Sequence, residues 1–183
     1  MADTSQPTVF DYATGTQWRL GFQRLPKTTW FCTAANIPGI NLGEAQYPTP
    51  LHDLYLIGDK LTFENLNITF IVDEELQNYR ELLNWLVVMW APQKYSQWVD
   101  ELKKGDGNVV QKGVSYSDSN FYSDATLIVY NSKNIPKVNV NFKNMFPTSL
   151  SSLEYSQESS DVEYFKASAS FRYFYYEFET ATW

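Results

Sequence analysis

Hydrophobic and polar positions alternate along several stretches of this chain, and the alternation predicts strands. Trp18, Leu20 and Phe22 alternate with Arg19, Gly21 and Gln23, a half-buried strand over 17–24. After the turn signal Pro26-Lys27, Thr28 to Ala35 reads as a second strand. Leu66, Ile68, Phe70 and Val72 alternate with Asn65, Asn67, Thr69 and Ile71, the cleanest period of two in the first half. DATLIVYN over 124–131 and KVNVNFKNMF over 137–146 continue the pattern, with Val138, Val140 and Phe142 set against Asn139, Asn141 and Lys143. The closing run VEYFKASASFRYFYYEF, 162–178, lines up Phe165, Ala167, Ala169, Phe171, Tyr173 and Tyr175 on one face. Its other face is polar at Lys166, Ser168, Ser170 and Arg172, then aromatic at Phe174, Tyr176 and Phe178. A strand this long, apolar on both faces near its end, calls for partners beyond a monomer's own core.

One segment has the period of a helix. Leu76, Tyr79, Leu83, Leu86, Val87 and Trp90 recur at three and four, and Trp85, Val88 and Met89 widen the stripe. Asp73 is placed to cap this helix, with Glu74 and Glu75 in its first turn opposite the partial positive end. The expected helix runs over 74–90 and Pro92 stops it; Tyr95, Trp98, Val99 and Leu102 suggest a short second helical piece. Residues 1–16 are polar and turn-prone, an arm, and 105–121 are rich in Gly, Asp and Ser, a flexible loop. Strands, one helix, then strands predict a single domain over 1–183: a β-sandwich or rolled sheet, mainly β, with one flanking α-helix.

The stretch NIPGINLGEAQYPTPLHDLYLIGDK, 36–60, fits none of these patterns. It joins a strand-like run to the clearest alternating one, yet it is long and studded with Ile, Leu and Tyr, where a solvent loop is shorter and more polar.

Composition sharpens this picture. With 183 residues the chain suffices for one well-cored domain. Aromatic residues make up 17% of it, a bias that suits sheets and interfaces. The net charge of -7 is the wrong sign for gripping phosphates. Stacking single-stranded nucleic acid on aromatics would also need a basic groove, and the last strand offers only Lys166 and Arg172. The single cysteine, Cys32, excludes an internal disulfide and a thiolate metal cluster, and reads as a small core residue. The single histidine, His52, would have to anchor any imidazole-based triad, and reads instead as a turn or interface residue. Gly105-Asp-Gly107 lacks the spaced glycines and lysine of a phosphate loop and the oxygen ladder of a calcium loop. No cofactor, metal or catalytic centre is expected. No run is long and apolar enough to span a membrane, and the first residues lack a secretory pattern, so the expectation is a protein made and kept in the cytosol without a membrane anchor.

Three segments together resemble the tail tube proteins of contractile-tailed bacteriophages. Residues 31–86 resemble that family's order of elements. A strand ends in a turn of the form A-x-x-(I/L)-P-G, here Ala35 to Gly39, and a long hairpin-like excursion follows. A glycine-containing turn then precedes T-F, an alternating strand comes next, and D-E opens a helix that ends near a Trp. Residues 125–155 resemble a strand-turn-strand closed by (L/M)-(F/W)-P-T-x-(L/V), here Met145-Phe146-Pro147-Thr148-Ser149-Leu150. The closing run resembles the terminal strand. Together they cover about two thirds of the chain.

The resemblance implies a virion protein whose subunits join their sheets into a closed β-barrel ring of six. The rings stack into the inner tube of a contractile tail, and genome DNA passes through the lumen without specific binding. Segment 37–62 would be the extended inter-ring loop, with Ile37, Pro38, Ile40, Leu42, Tyr47, Leu51, Leu54, Tyr55 and Leu56 as its stacking contacts. Asp73, Glu74 and Glu75 would start a helix whose polar side faces the sheath, and Phe146, Pro147 and Thr148 would form a structural turn between sheets. Partners implied are further copies of the chain, the tail sheath protein, a baseplate tube initiator and a tail terminator, with assembly in the host cytoplasm. Relatives in the same assembly class stay open: an initiator or terminator at one tube end, or the tube of a bacterial contractile injection system. A small-ligand-binding or enzymatic β domain is the reading from another class.

Overall fold

The computed structural model describes residues 12–90, 121–156 and 164–181. In chain order it contains β1 (Trp18–Phe22), α1 (Pro26–Phe31), β2 (Cys32–Ala35), β3 (Ile40–Tyr47), β4 (Leu54–Phe63) and β5 (Leu66–Ile71). Then come α2 (Gln77–Trp90), β6 (Ser123–Tyr130), β7 (Pro136–Leu150), β8 (Lys166–Arg172) and β9 (Tyr175–Thr180). The expected arm up to residue 11, the second helical piece over 95–102 and the loop over 105–120 lie outside the described residues.

The mainly β architecture expected from the alternation is what forms. Among the described residues all pairings are antiparallel, and two four-stranded layers share the long strand β7. The first layer runs β1-β6-β7-β9, with Leu20 opposite Leu127 and Leu127 opposite Val140. The second runs β7-β8-β5-β2, with Ile68 opposite Ala169. Residues 138–143 of β7 pair with β9, and residues 146–150 pair with β8. The segment Met145–Leu150 is therefore no turn. It is β7 itself passing from one layer to the other, with Asn144 in the left-handed region (φ 52°) and a register shift between Pro147 and Ser149.

The closing run is not one strand. It breaks at Tyr173-Phe174 and lies along β7 as β8 and then β9. At the break the buried face changes parity: Ala167, Ala169, Phe171 and Tyr173 point inward before it, and Tyr176 packs on the core after it. Much of the double-sided apolar pattern thus records a strand changing layers.

Inward positions from both layers meet in one cluster with Leu82 and Trp85 of α2. Phe22 of the first layer touches Phe171 of the second at 5.5 Å between centroids, and Trp85 lies 6.2 Å from Phe171. Each such fully buried ring or Leu contributes on the order of 2 kcal/mol through removal from water.

Two local expectations are corrected. Residues 26–31 form the short helix α1 with Pro26 in its first turn, so the second strand shrinks to Cys32–Ala35. The expected helix start is also displaced. Asp73 does not cap α2 and Glu74 and Glu75 are not in its first turn; all three precede it. Leu76 N–H donates to the Asp73 carbonyl at 2.8 Å, Leu76 takes a positive φ of 55°, and the helix begins at Gln77. Buried Asn78 locks this turn: its amide donates to the Ile71 carbonyl at 2.8 Å and its Oδ1 accepts from Asp73 N–H at 3.2 Å. The buried stripe of α2 is accordingly Asn78, Leu82, Trp85 and Val88, while Leu83 and Trp90 of the expected face are exposed.

Candidate assembly surface

The long apolar stretch is a protruding β-hairpin. β3 and β4 pair with each other and with no other strand among the described residues. All eight residues of β3 are exposed, as are eight of the ten in β4. Two strands alone are marginal in water, so such a ribbon requires either a firm root or a cover.

The root is well held. Phe63 at the end of β4 packs on Tyr173 and Tyr176 with centroids 5.8 and 5.9 Å away. The Tyr173 hydroxyl donates to the Glu64 carbonyl at 2.9 Å, and the Tyr176 hydroxyl donates to the Pro38 carbonyl at 3.2 Å. Glu64 N–H donates to the Gly39 carbonyl at 3.0 Å, and the Asn41 amide donates to Glu64 Oε1 at 3.2 Å. Burial, with the nearby Tyr176 and Glu64 charges adding, pushes the Tyr173 hydroxyl up to about 12.

Cross-strand partners share a face, so the register sorts the hairpin's side chains. Ile40 faces Phe63, Leu42 faces Leu61, Glu44 faces Ile57 and Gln46 faces Tyr55, all on one side. Ala45 faces Leu56 and Tyr47 faces Leu54 on the other. Between Leu42 and Glu44 the register shifts, and β4 sets three residues, Gly58 to Lys60, against the one residue Gly43 in a bulge. There the strands approach so closely that a Cβ on Gly58 would lie 2.5 Å from the Gly43 carbonyl oxygen. The tip, 48–53, is held by Gln46 Nε2 donating to Asp53 Oδ2 at 2.6 Å and by Thr49 bonding His52 backbone groups.

Of the stacking contacts expected from sequence, Ile37, Ile40, Leu42, Tyr47, Leu51, Leu54, Tyr55 and Leu56 are all exposed on or beside this hairpin. Pro38 is not; it is buried at the root. Ile57, 85% exposed, and Leu61 belong to the same surface but were missed, although the alternation of Tyr55, Ile57 and Leu61 along β4 carried the signal. Glu74 and Glu75 are exposed on the turn before α2, where Arg80 and Asn84 extend the polar side of that helix.

Nothing in the described residues assembles a reactive centre. They hold no cluster of His, Cys, Asp and Glu able to bind a metal, and no helix long and apolar enough to cross a membrane. His52 is exposed at the hairpin tip, far in sequence and pairing from the core. Burial pushes the Cys32 thiol up to about 11, with a backbone hydrogen bond at Ala34 opposing it, so it is a poor nucleophile near neutrality. The ion pair of Lys143 with Asp124, 2.7 Å, ties β7 to β6 and raises the lysine's pKa.

Among the described residues, the sandwich layers end in strands paired on one side only. β1 and β9 are the two edges of the first layer, and β2 is an edge of the second. Such edges invite pairing with further chains unless covered.

Known proteins resemble this chain over nearly its whole length. Residues 9–179 match the family model described as phage tail tube protein. No sequence among the curated proteins matches. Among solved structures, the cap that terminates the tube of the anti-feeding prophage superposes with a TM-score of 0.54 at 17% identity, covering 99% of this chain and 100% of that one. The sheath/tube terminator of the extracellular contractile injection system PVC gives a TM-score of 0.54 at 13% identity, over 93% of this chain and 99% of that one. A chain of the PVC sheath-tube complex in its extended state gives 0.51 at 16% identity, over 99% and 100%. At these identities the likeness concerns the fold.

Proposed function

Because this chain belongs to the phage tail tube protein family, we propose that it is the structural subunit of a contractile tail's inner tube. The observation that carries this reading is the rooted hairpin β3–β4, whose apolar side chains are left exposed by the described residues. Hexameric rings close through the free edges of the sandwich, which removes edges that would otherwise pair without control. Rings stack through the hairpin, and the tube guides genome DNA from virion to host. A net charge of -7 supports passage without adhesion, since a phosphate backbone is repelled. The protein acts by geometry and interface strength, with no catalytic step and no cofactor. Its partners are other copies of itself, the sheath against the exposed side of α2 and the Glu74-Glu75 turn, and initiator and terminator proteins at the tube ends. It resides in the virion tail after assembly in the host cytoplasm.

The test is direct. Negative-stain electron microscopy of the purified full chain is expected to show rings or long tubes with a central hole. A chain in which residues 42–61 are replaced by a Gly-Asn-Gly turn is expected to fold and form rings that do not stack. Compact monomers at high concentration, with no polymer on added baseplates, would refute the tube reading. A second reading, the tube of an injection system that carries no genome, draws on the fold shared with the PVC tube and terminator. It predicts particles that lack DNA-filled heads, which micrographs of the native source distinguish.

A further inference from the structure

The long strand β7 turns its corner while held from both sides. Opposite the corner the register with β6 shifts: Ser123 faces Met145 and Ala125 faces Phe142, so Asp124 alone stands against both Lys143 and Asn144. This is a β-bulge, which bends its strand and raises the local twist. Asn144 takes the left-handed conformation (φ 52°), which asparagine tolerates. The Asp124 carboxylate holds both residues. Its Oδ1 accepts from Asn144 N–H at 3.0 Å and its Oδ2 from Lys143 Nζ at 2.7 Å. Its backbone carbonyl accepts from Gln23 N–H at 3.3 Å, just past the end of β1. From the other side Phe174 N–H donates to the Lys143 carbonyl at 3.0 Å, at the break between β8 and β9. Tyr122 packs on Phe146 and Phe174, with centroids 5.7 and 5.3 Å away, and braces the bend.

Among the described residues, strand pairing passes from one layer to the other only at this corner. The core also joins the layers, but apolar contact is non-directional, whereas the bonds to Asp124 have a fixed direction. The angle between the layers matters because each flank of the subunit carries one edge of each. β1 and β2 border one open cleft on the first flank. On the opposite flank lie β9 and residues 146–150 of β7, which pair with β8 alone. A neighbour in a closed ring that meets such a flank must fit both edges at once. The angle between layers therefore fixes the rotation from one subunit to the next. A ring of six needs about 60° and a ring of seven about 51°, so a swing of about 9° changes the count.

We infer that Asp124 fixes the angle between the two layers and, through it, the number of subunits in a ring. This rests on the tube reading, in which the free edges close the ring, and adds what sets the ring's size. The pair with Lys143 is partly exposed and contributes little to stability, so Asp124 acts on geometry rather than on folding.

The experiment counts subunits in end-on electron-microscope averages of rings and tubes. The unmodified chain is expected to show one rotational symmetry, and Asp124→Ala to lose it to a mixture of ring sizes while still melting cooperatively. If Asp124→Ala does not fold, Lys143→Met decides on the same criterion, since it removes the ion pair and keeps the carboxylate's bond to Asn144. A variant that keeps the single symmetry of the unmodified chain overturns the inference. Asn78→Ala weakens the fold away from the corner and is expected to keep that symmetry. A mixture of sizes in Asn78→Ala would mean that any softening alters the ring, and it also overturns the inference.

A second measurement needs no ring. Spin labels on Glu177→Cys of β9 and Ser168→Cys of β8, both exposed, read the separation of the layers in the free subunit in a Cys32→Ala background. Adding Asp124→Ala is expected to broaden the distance distribution, and an unchanged width overturns the clamp. The tube reading has a separate failure, in which the unmodified chain forms neither rings nor tubes. That outcome removes the consequence for ring size, while the label distances still decide whether Asp124 holds the layers.

Discussion

The hairpin root depends on one hydroxyl whose removal should act in opposite directions at neutral and alkaline pH. Tyr173→Phe keeps the ring against Phe142, 5.2 Å away, and Phe63, 5.8 Å away, and deletes only the donor to the Glu64 carbonyl. At neutral pH the variant leaves that carbonyl without its partner, at a cost of about 1 kcal/mol. The wild-type hydroxyl, however, is raised from 10 to about 12 in the folded chain, first by burial and then by the charges of Tyr176 and Glu64. A group that holds its proton more tightly when folded contributes stability that is fully present below its unfolded pKa. That stability is lost as pH climbs through the folded value. Two pKa units correspond to about 2.7 kcal/mol, lost between about pH 10 and about pH 12.

Phenylalanine has no proton to lose, so the stability curves of the two proteins should cross near about pH 11, the variant being weaker below and stronger above. Urea unfolding of both chains from about pH 8 to about pH 12 reads this out, because every other titrating group cancels in the difference. Hydrogen exchange at the Glu64 amide, which donates to the Gly39 carbonyl at 3.0 Å, should quicken several-fold in the variant at neutral pH. A stability difference that stays constant to the alkaline limit would refute the reasoning, since it would mean that the hydroxyl is solvated in the folded chain.

Two further perturbations separate the assembly element from the body. Gly58→Ala puts a methyl against the Gly43 carbonyl at 2.5 Å, so the bulge must open and the outer hairpin must swing. Tube growth should fail in electron micrographs, while the melting of the body shifts by less than about 0.5 kcal/mol equivalent. Asn78→Ala acts the other way. It strips partners from the Ile71 carbonyl and the Asp73 and Tyr79 amides, and it should cost about 3 kcal/mol in denaturant unfolding. A loss under about 1 kcal/mol would show that water replaces the side chain at the helix start.

The strand pattern was legible wherever one face of a strand is dry and the other wet. Leu66, Ile68 and Phe70 are buried between exposed or half-exposed neighbours as their alternation requires. The helix was legible as an element but not in its phase. A polar residue, Asn78, occupies the first core position, and hydrophobic Leu83 and Trp90 face outward, which rotates the apparent stripe. The start of that helix was misplaced for a related reason. Asp73 and the two glutamates carry the right chemistry for a cap, yet the chain needs a tight turn with a left-handed Leu76 before it can enter the helix.

By itself the sequence determined a mainly β subunit, one packed helix and an apolar excursion too long for a loop. These follow from local periodicity, composition and counting, which act over a few residues. Only the tertiary structure decided that the last strand splits between two layers and that β7 bridges them, because pairing partners lie 19 (Leu150 and Ala169) to 105 (Leu66 and Phe171) residues apart and leave no local trace. The same holds for the excursion. Which of its side chains share a face depends on cross-strand register and on a bulge between Gly43 and Gly58, and that register alone makes the hairpin greasy on both sides.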